Sequence, residues 1–334
     1  MKVRIFGHSG EPEFPYGETG PWLEFKNTIL DLNFELVEGN LNLAAEAVIA
    51  HSHNKQIENY MKKHNIPIKF RALVIWEPFV VDSQLYDRSV LELYGAIFAP
   101  SKKWAKQTRA TYFHWPQNSI ELGHLSFDTK SRKKRAILVQ GNKFSARKGE
   151  MYSLRREILI KDKDRVIDLY GTDWNRGLIF DLSHWVNSLR NTPFKHLKFE
   201  SLRYLGRKYA SYKGSVVDKE AALRNYKFTI VIENSGDFVS EKLFDAVRAG
   251  CLVIYVGPNL NDYGINAEYF VTVEPDAQLI YEALRELMLL SEIELNDKIK
   301  KQINELIRVN PEWKNSLVLK NLATQILKKF EYFF

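Results

Sequence analysis

Residues 226–263 read YKFTIVIENSGDFVSEKLFDAVRAGCLVIYVGPNLNDY. The run 228–232 is apolar and rich in β-branched residues, the signature of a buried strand. Its character changes at once to Glu233-Asn234-Ser235-Gly236-Asp237. A helix is predicted next, with Ser240 as N-cap, Glu241 and Lys242 in the first turn, and Leu243, Phe244 and Val247 as an apolar stripe. Gly250 stops the helix, 252–256 forms a second buried strand, and Gly257-Pro258 ends it. The stretch is a βαβ unit, and such units hold ligands beyond the carboxyl ends of their strands. The polar cluster lies there. A helix start offers free N–H groups to a phosphate, and Lys242 adds positive charge beside them. Glu233 and Glu241 can accept from sugar hydroxyls, and Asn234 can donate and accept. The same residues also read as no more than a capped helix start with a solvated ion pair.

Length and composition narrow the class. At 334 residues the chain suits two domains, and its 45% hydrophobic and 27% charged content is that of a globular protein. The lone Cys251 adjoins a buried strand, which excludes an internal disulfide framework and fits a reducing compartment. The start of the chain reads as a short strand followed by Gly and Pro, not as a signal peptide, and no apolar run approaches membrane-spanning length. A net charge of +7 suits anionic ligands such as nucleotide diphosphates or acidic glycolipid surfaces. The basic residues are dispersed and no nucleic-acid recognition module is visible, so nucleic acid is not the expected partner.

The first half alternates strand and helix signals. Strands are expected at 3–6, 34–37, 47–50, 73–76 and 96–99, with helical spacing at 22–32 and 56–63. Two of these strands end in polar groups, His51 with His53, and Glu77 held by Pro78. Glu77 follows a buried strand, which places its carboxylate at the sheet's carboxyl edge; on this half alone an exposed loop glutamate is the simpler reading. His51 and His53 alternate across a strand end, so one of them at most faces the sheet edge as an acceptor-hydroxyl contact. His114 could cap a strand, and these histidines lack the nearby carboxylates or cysteines of a metal site. The segment 118–135 is polar and ends in the charge run Lys130-Ser131-Arg132-Lys133-Lys134-Arg135, the pattern of a linker.

The second half opens with a strand at 136–139, a basic turn at 143–149, a helix at 151–159 and a strand at 166–170 ending in Tyr170-Gly171. Beyond the βαβ unit come a short strand at 269–273 and amphipathic helices at 279–290, 293–307 and 317–330. The chain ends in Tyr332, Phe333 and Phe334, which read as packed against the first domain, with a peripheral membrane foot as the minor alternative.

The long pattern of 226–263 resembles the donor-binding motif of the α1,3/1,4-fucosyltransferases, glycosyltransferase family 10. Glu233-Asn234-Ser235, then Phe238-Val239-Ser240-Glu241-Lys242, a helix, a strand and Gly257-Pro258-Asn259…Tyr263 carry the likeness, with Tyr226-Lys227-Phe228 ahead of them. One departure stands out: only Gly236 and Asp237 separate Ser235 from Phe238, where family members usually have about four residues, and Phe238 stands where tyrosine is common. Lys213-Gly214 and Asp218-Lys219 also resemble the family, Lys219 reading as structural or as a rim residue, whereas the carboxy-terminal heptad array of some bacterial relatives is absent.

The resemblance implies a GT-B architecture of two facing Rossmann-like domains with the active site in the cleft between them. Residues 1–117 would be the acceptor-side domain, 118–135 the linker, 136–310 the GDP-sugar domain, and 311–334 a helix packing back on the first. It implies inverting transfer of L-fucose from GDP-fucose to a hydroxyl of a GlcNAc-containing glycan, α1,3-type, with no cofactor and no essential divalent metal. Glu77 takes the place of the catalytic base, and Arg155 that of an arginine contacting the donor diphosphate, with Arg147 and Arg156 as rivals. The implied donor set is Arg155, Tyr170, Gly171, Glu233, Asn234, Ser235, Phe238, Ser240, Glu241 and Lys242. Eukaryotic members carry an N-terminal anchor, so the expectation is a cytoplasmic enzyme of bacterial or viral type. Two alternatives remain open at this point: a GT-B transferase using another sugar nucleotide, and a non-catalytic carbohydrate- or nucleotide-binding relative. Retention of Glu77, Arg155 and Lys242 argues against the second.

Overall fold

A computed structural model describes residues 1–7, 22–120, 129–190 and 192–331. Residues 8–21, residues 121–128 of the predicted linker and the terminal aromatics Tyr332, Phe333 and Phe334 lie outside the described residues. The chain forms two compact units, one of 1–119 together with 311–334, the other of 120–310.

The first unit contains β1 (Lys2–Phe6), α1 (Trp22–Asp31), β2 (Glu35–Leu36), β3 (Ala47–Ala50), α2 (Lys55–Lys63), β4 (Arg71–Val74), α3 (Arg88–Leu91), β5 (Ala96–Ala99), α4 (Lys102–Gln107) and β6 (Thr111–Tyr112). The strands pair in parallel in the order β2-β1-β3-β4-β5-β6. A parallel sheet covered on both faces needs apolar side chains on both, and β3 is buried at all four positions. Alternate residues go to opposite cores. Val3, Ile5, Ile49 and Val74 meet Phe25 and Ile29 of α1, whereas Phe6, Val48, Leu73 and Ile75 meet Ile57 and Met61 of α2.

The second unit contains β7 (Lys133–Val139), α5 (Tyr152–Lys161), β8 (Ile167–Tyr170), α6 (Leu178–Leu189), α7 (Lys219–Leu223), β9 (Tyr226–Ile232), α8 (Glu241–Arg248), β10 (Leu252–Val256), β11 (Val271–Thr272) and α9 (Ala277–Leu287). Its sheet is parallel throughout in the order β11-β10-β9-β7-β8. β9 lies at the centre and is buried along its whole length. Gly250 ends the βα step at φ 73°, a left-handed conformation that favours glycine. Cys251 is fully buried and donates to the Leu223 carbonyl; burial pushes its thiol up to about 12, so it is an inert core residue. Helix α10 (Glu292–Trp313) leads into α11 (Asn315–Glu331), whose Leu322, Ile326 and Phe330 are buried in the α1 side of the first unit's core. Among the described residues no helix is long and apolar enough to cross a membrane.

In both sheets the chain reverses its direction of strand addition, between β1 and β3 in the first and between β7 and β9 in the second. At such a switch point the loops leaving adjacent strands diverge and leave a crevice at the carboxyl edge. Glu233 follows β9 directly, so the polar cluster of the sequence sits at the second unit's switch point.

Candidate functional site

The turn from β9 to α8 is organised by one buried carboxylate. Glu233 is 2% exposed, and its backbone N–H extends the ladder to the Val256 carbonyl. Its Oε1 accepts from the Ser240 amide at 2.9 Å; its Oε2 accepts from Ser240 Oγ at 2.7 Å and from Lys242 Nζ at 2.9 Å. Ser240 Oγ also accepts from the Lys242 amide, capping α8. The sequence offers Glu233 as a sugar-hydroxyl acceptor, but all these bonds turn inward and make it the brace of the turn. The Tyr255 hydroxyl, also buried, is pushed well above its ordinary value by burial and then by the charge of Glu233.

Arg155 reaches the same turn from α5. Its Nη2 donates to the Ile232 carbonyl at 3.2 Å, the Glu233 carbonyl at 3.3 Å and Asn234 Oδ1 at 2.9 Å, and its guanidinium lies 4.7 Å from the Tyr152 ring centre. It is 2% exposed, its Nε has no hydrogen-bond partner, and no carboxylate pairs with it among the described residues. Burial pulls its pKa below the ordinary guanidinium value, while Tyr152, Glu233 and Glu150 act the other way. A guanidinium stays charged at neutral pH even so. A buried cation without a paired anion is unfavourable by several kcal/mol unless something anionic completes it.

The two rivals have other work. Arg156 donates to the Tyr152 carbonyl, to Asn142 Oδ1 and to the Lys143 carbonyl, with its guanidinium 3.5 Å from the centre of the Phe144 ring. Arg147 bonds Thr192 Oγ1 and the Arg190 carbonyl. Both hold backbone segments.

The loop between Glu233 and Ser240 is pinned from two sides. The Met151 amide donates to the Asn234 carbonyl at 3.0 Å, and Tyr263 Oη donates to the Asp237 carbonyl at 2.6 Å. Ser235 Oγ bonds Asp237 Oδ2, Phe238 is buried, and Gly236 is exposed at the tip. The amide nitrogen of Asn234 is left as a donor of the loop, since its oxygen is taken by Arg155. Glu241 is half-buried; burial raises its carboxyl, but Lys242, Lys219 and bonds from its own N–H and Ser240 outweigh that and hold it below the usual range. Lys219 itself pairs with Asp245 of α8 at 2.9 Å.

Tyr170 and Gly171 are not brought into this turn in the same way. The Tyr170 ring packs with Ile137 and Tyr226 on the sheet face, its hydroxyl 3.4 Å from that of Tyr226. Gly171, at φ 139°, permits a close crossing, because a Cβ there would lie 2.0 Å from the Gln140 carbonyl oxygen. Gln140 was not singled out in the sequence. It directly follows β7 at the switch point, donates to the Ile232 carbonyl at 2.8 Å, and leaves a buried Oε1 with no partner among the described residues. The step from an apolar strand to Gln140-Gly141-Asn142 was the signal that could have found it.

In the first unit, Glu77 follows β4 and is half-buried, and its carbonyl accepts from Tyr86 Oη at 2.9 Å. The preceding Trp76 packs edge-to-face against Phe113 and Trp115 and donates its indole N–H to His51 Nδ1 at 3.0 Å. That bond makes His51 Nδ1 an acceptor, so its proton sits on Nε2. His53 is buried with Nδ1 2.9 Å from Tyr94 Oη; burial, against Glu58, lowers its pKa. His114 bonds Tyr112 Oη and is lowered to about 4 by burial and then Lys102. No group of three or more metal-ligating side chains that could hold an ion exists among the described residues.

The two parallel α/β units have the GT-B fold of the solved structures on which the chain superposes. A trehalose-6-phosphate synthase superposes with a TM-score of 0.53 at 11% identity, covering 91% of this chain and 78% of that one. An α1,3-fucosyltransferase superposes with a TM-score of 0.50 at 15% identity, covering 98% and 89%. In sequence the chain resembles a putative fucosyltransferase-like protein of Arabidopsis thaliana, 32% identical over 90 residues, which is 24% of this chain and 18% of that protein. The chain thus matches less than a fifth of that relative's length. No family model matches the chain.

Proposed function

We propose that the protein is an inverting fucosyltransferase that moves L-fucose from GDP-fucose to a hydroxyl of a GlcNAc-containing glycan. The observation that carries this reading is Arg155, a buried guanidinium with no carboxylate partner among the described residues, set against the turn that also holds Lys242 and the start of α8. That combination suits a diphosphate, which supplies the missing negative charge to cations and helix N–H groups together.

The chemistry follows from the same residues. Glu77 takes the acceptor hydroxyl's proton as that oxygen attacks the anomeric carbon. The bond from that carbon to the phosphate oxygen breaks with inversion, and GDP leaves. Arg155, Lys242 and the α8 start stabilise the charge that develops on it. Asn234 and Glu241 orient ribose and sugar. Protein cations do what a metal does elsewhere, so the reading calls for no divalent ion and no cofactor.

Calorimetry without added metal tests it. GDP-fucose and GDP should bind, and UDP-sugars should not. A uridine preference would retain a GT-B transferase and overturn the donor, a reading favoured by the short Gly236-Asp237 insert beside the proposed sugar pocket. Loss of all nucleotide binding would leave the non-catalytic reading.

A further inference from the structure

Seven of the eighteen large apolar side chains that are exposed among the described residues lie between positions 178 and 202. Helix α6 buries Asp181, Trp185 and Ser188 and turns Leu178, Ile179, Leu182 and Val186 to solvent, Ile179 at 86% exposure. At 100° per residue those four occupy one arc of roughly 100°. Phe194, 81% exposed, and Phe199 continue the apolar surface, with Phe199 5.8 Å from Trp185 and 6.5 Å from Phe194 between ring centres.

Charge is concentrated in the same place. Residues 174–208 hold seven arginines and lysines against Asp181 and Glu200, a net +5 of the chain's +7, and Asp181 is buried. Arg190, Lys195, Arg207 and Lys208 are exposed and have no carboxylate partner among the described residues. Gly206 sits against Leu178, which sets Arg207 and Lys208 beside the start of the apolar arc, while Arg190 and Lys195 follow its end. Apolar side chains fringed by unpaired cations suit a surface that is oily beneath and anionic at its boundary. We propose that α6 and the turns after it form an interfacial membrane contact that lies on anionic lipid. A second copy of this chain fits less well, because it would oppose one unpaired cationic fringe to another.

The full chain is sedimented with vesicles of phosphatidylglycerol and phosphatidylcholine, and with phosphatidylcholine alone, at low and high salt. Binding to the anionic vesicles only, falling with salt, is expected. Ile179→Glu with Phe194→Ser should weaken it roughly tenfold or more. Arg207→Ser with Lys208→Ser should weaken it less and flatten the salt dependence. Unchanged melting of both variants shows that they are folded. The proposal is overturned by absent or salt-independent sedimentation, by equal binding of neutral vesicles, or by a wild-type dimer that the first variant dissociates. No nucleotide is present, so the outcome is independent of the donor assignment.

Discussion

The carboxyl edges of the two sheets are built in opposite ways. At the second, the β9–α8 turn is tied by a buried Glu233 to Ser240 and Lys242 and approached by a buried Arg155 with no carboxylate paired to it among the described residues. At the first, Glu77 follows Trp76, which packs edge-to-face against Phe113 and Trp115, and the nearby histidines are held in hydrogen bonds. A cationic, over-determined turn is suited to holding a multiply charged group in one pose. A carboxylate can accept a proton from a neutral hydroxyl. Under the proposed function, charge recognition falls to the second sheet edge and proton transfer to the first.

The sharpest way to break that division is Glu77→Gln. Turnover should fall by about 10²–10⁴-fold while the Kd for GDP-fucose stays within about twofold, because only the proton acceptor is removed. Surviving turnover in a steady-state assay would place the base elsewhere. Glu233→Ala should reach the second edge through stability. Removing one member of a buried, hydrogen-bonded charge group leaves Lys242 uncompensated, so unfolding free energy should drop by about 3 kcal/mol, read by urea denaturation. Arg155→Ala and Lys242→Ala should each weaken GDP binding by roughly 10–100-fold, with the Glu77 edge untouched. Wild-type affinity in both would refute the phosphate assignment.

The smallest effect concerns pH. Burial and then Lys102 lower His114 to about 4 from its ordinary 6.5, so the unfolded chain takes up the proton first. The stabilisation is therefore full above about 6.5 and is lost as pH falls toward about 4. Thermal melting across that window should show an acid loss that His114→Gln reduces.

Strand and helix positions were legible where periodicity was strong. The apolar run 228–232 became the end of β9, and 47–50 became β3. Where pattern was weak the reading thinned: 34–37 shortened to the two-residue β2, and α6 went unnoticed because its apolar residues face solvent. Among site residues, Glu233, Ser240 and Lys242 are seven and two positions apart, so local order alone puts them in one turn. Arg155 lies 79 residues from Asn234, and only parallel pairing of β7 with β9 brings α5 to that loop.

By itself, then, the sequence determined that this chain has strand ends with polar turns, a capped α8 behind one of them, and an excess of cations. These are local properties, set by propensity, capping and composition within a few residues. Tertiary structure alone decided that Glu233 turns inward, that Arg155 is buried with no carboxylate paired to it among the described residues while Arg147 and Arg156 are engaged, and that the apolar arc of α6 is exposed among them. Burial and hydrogen-bond partnership depend on which distant segments pack together, and no short window of residues contains that information.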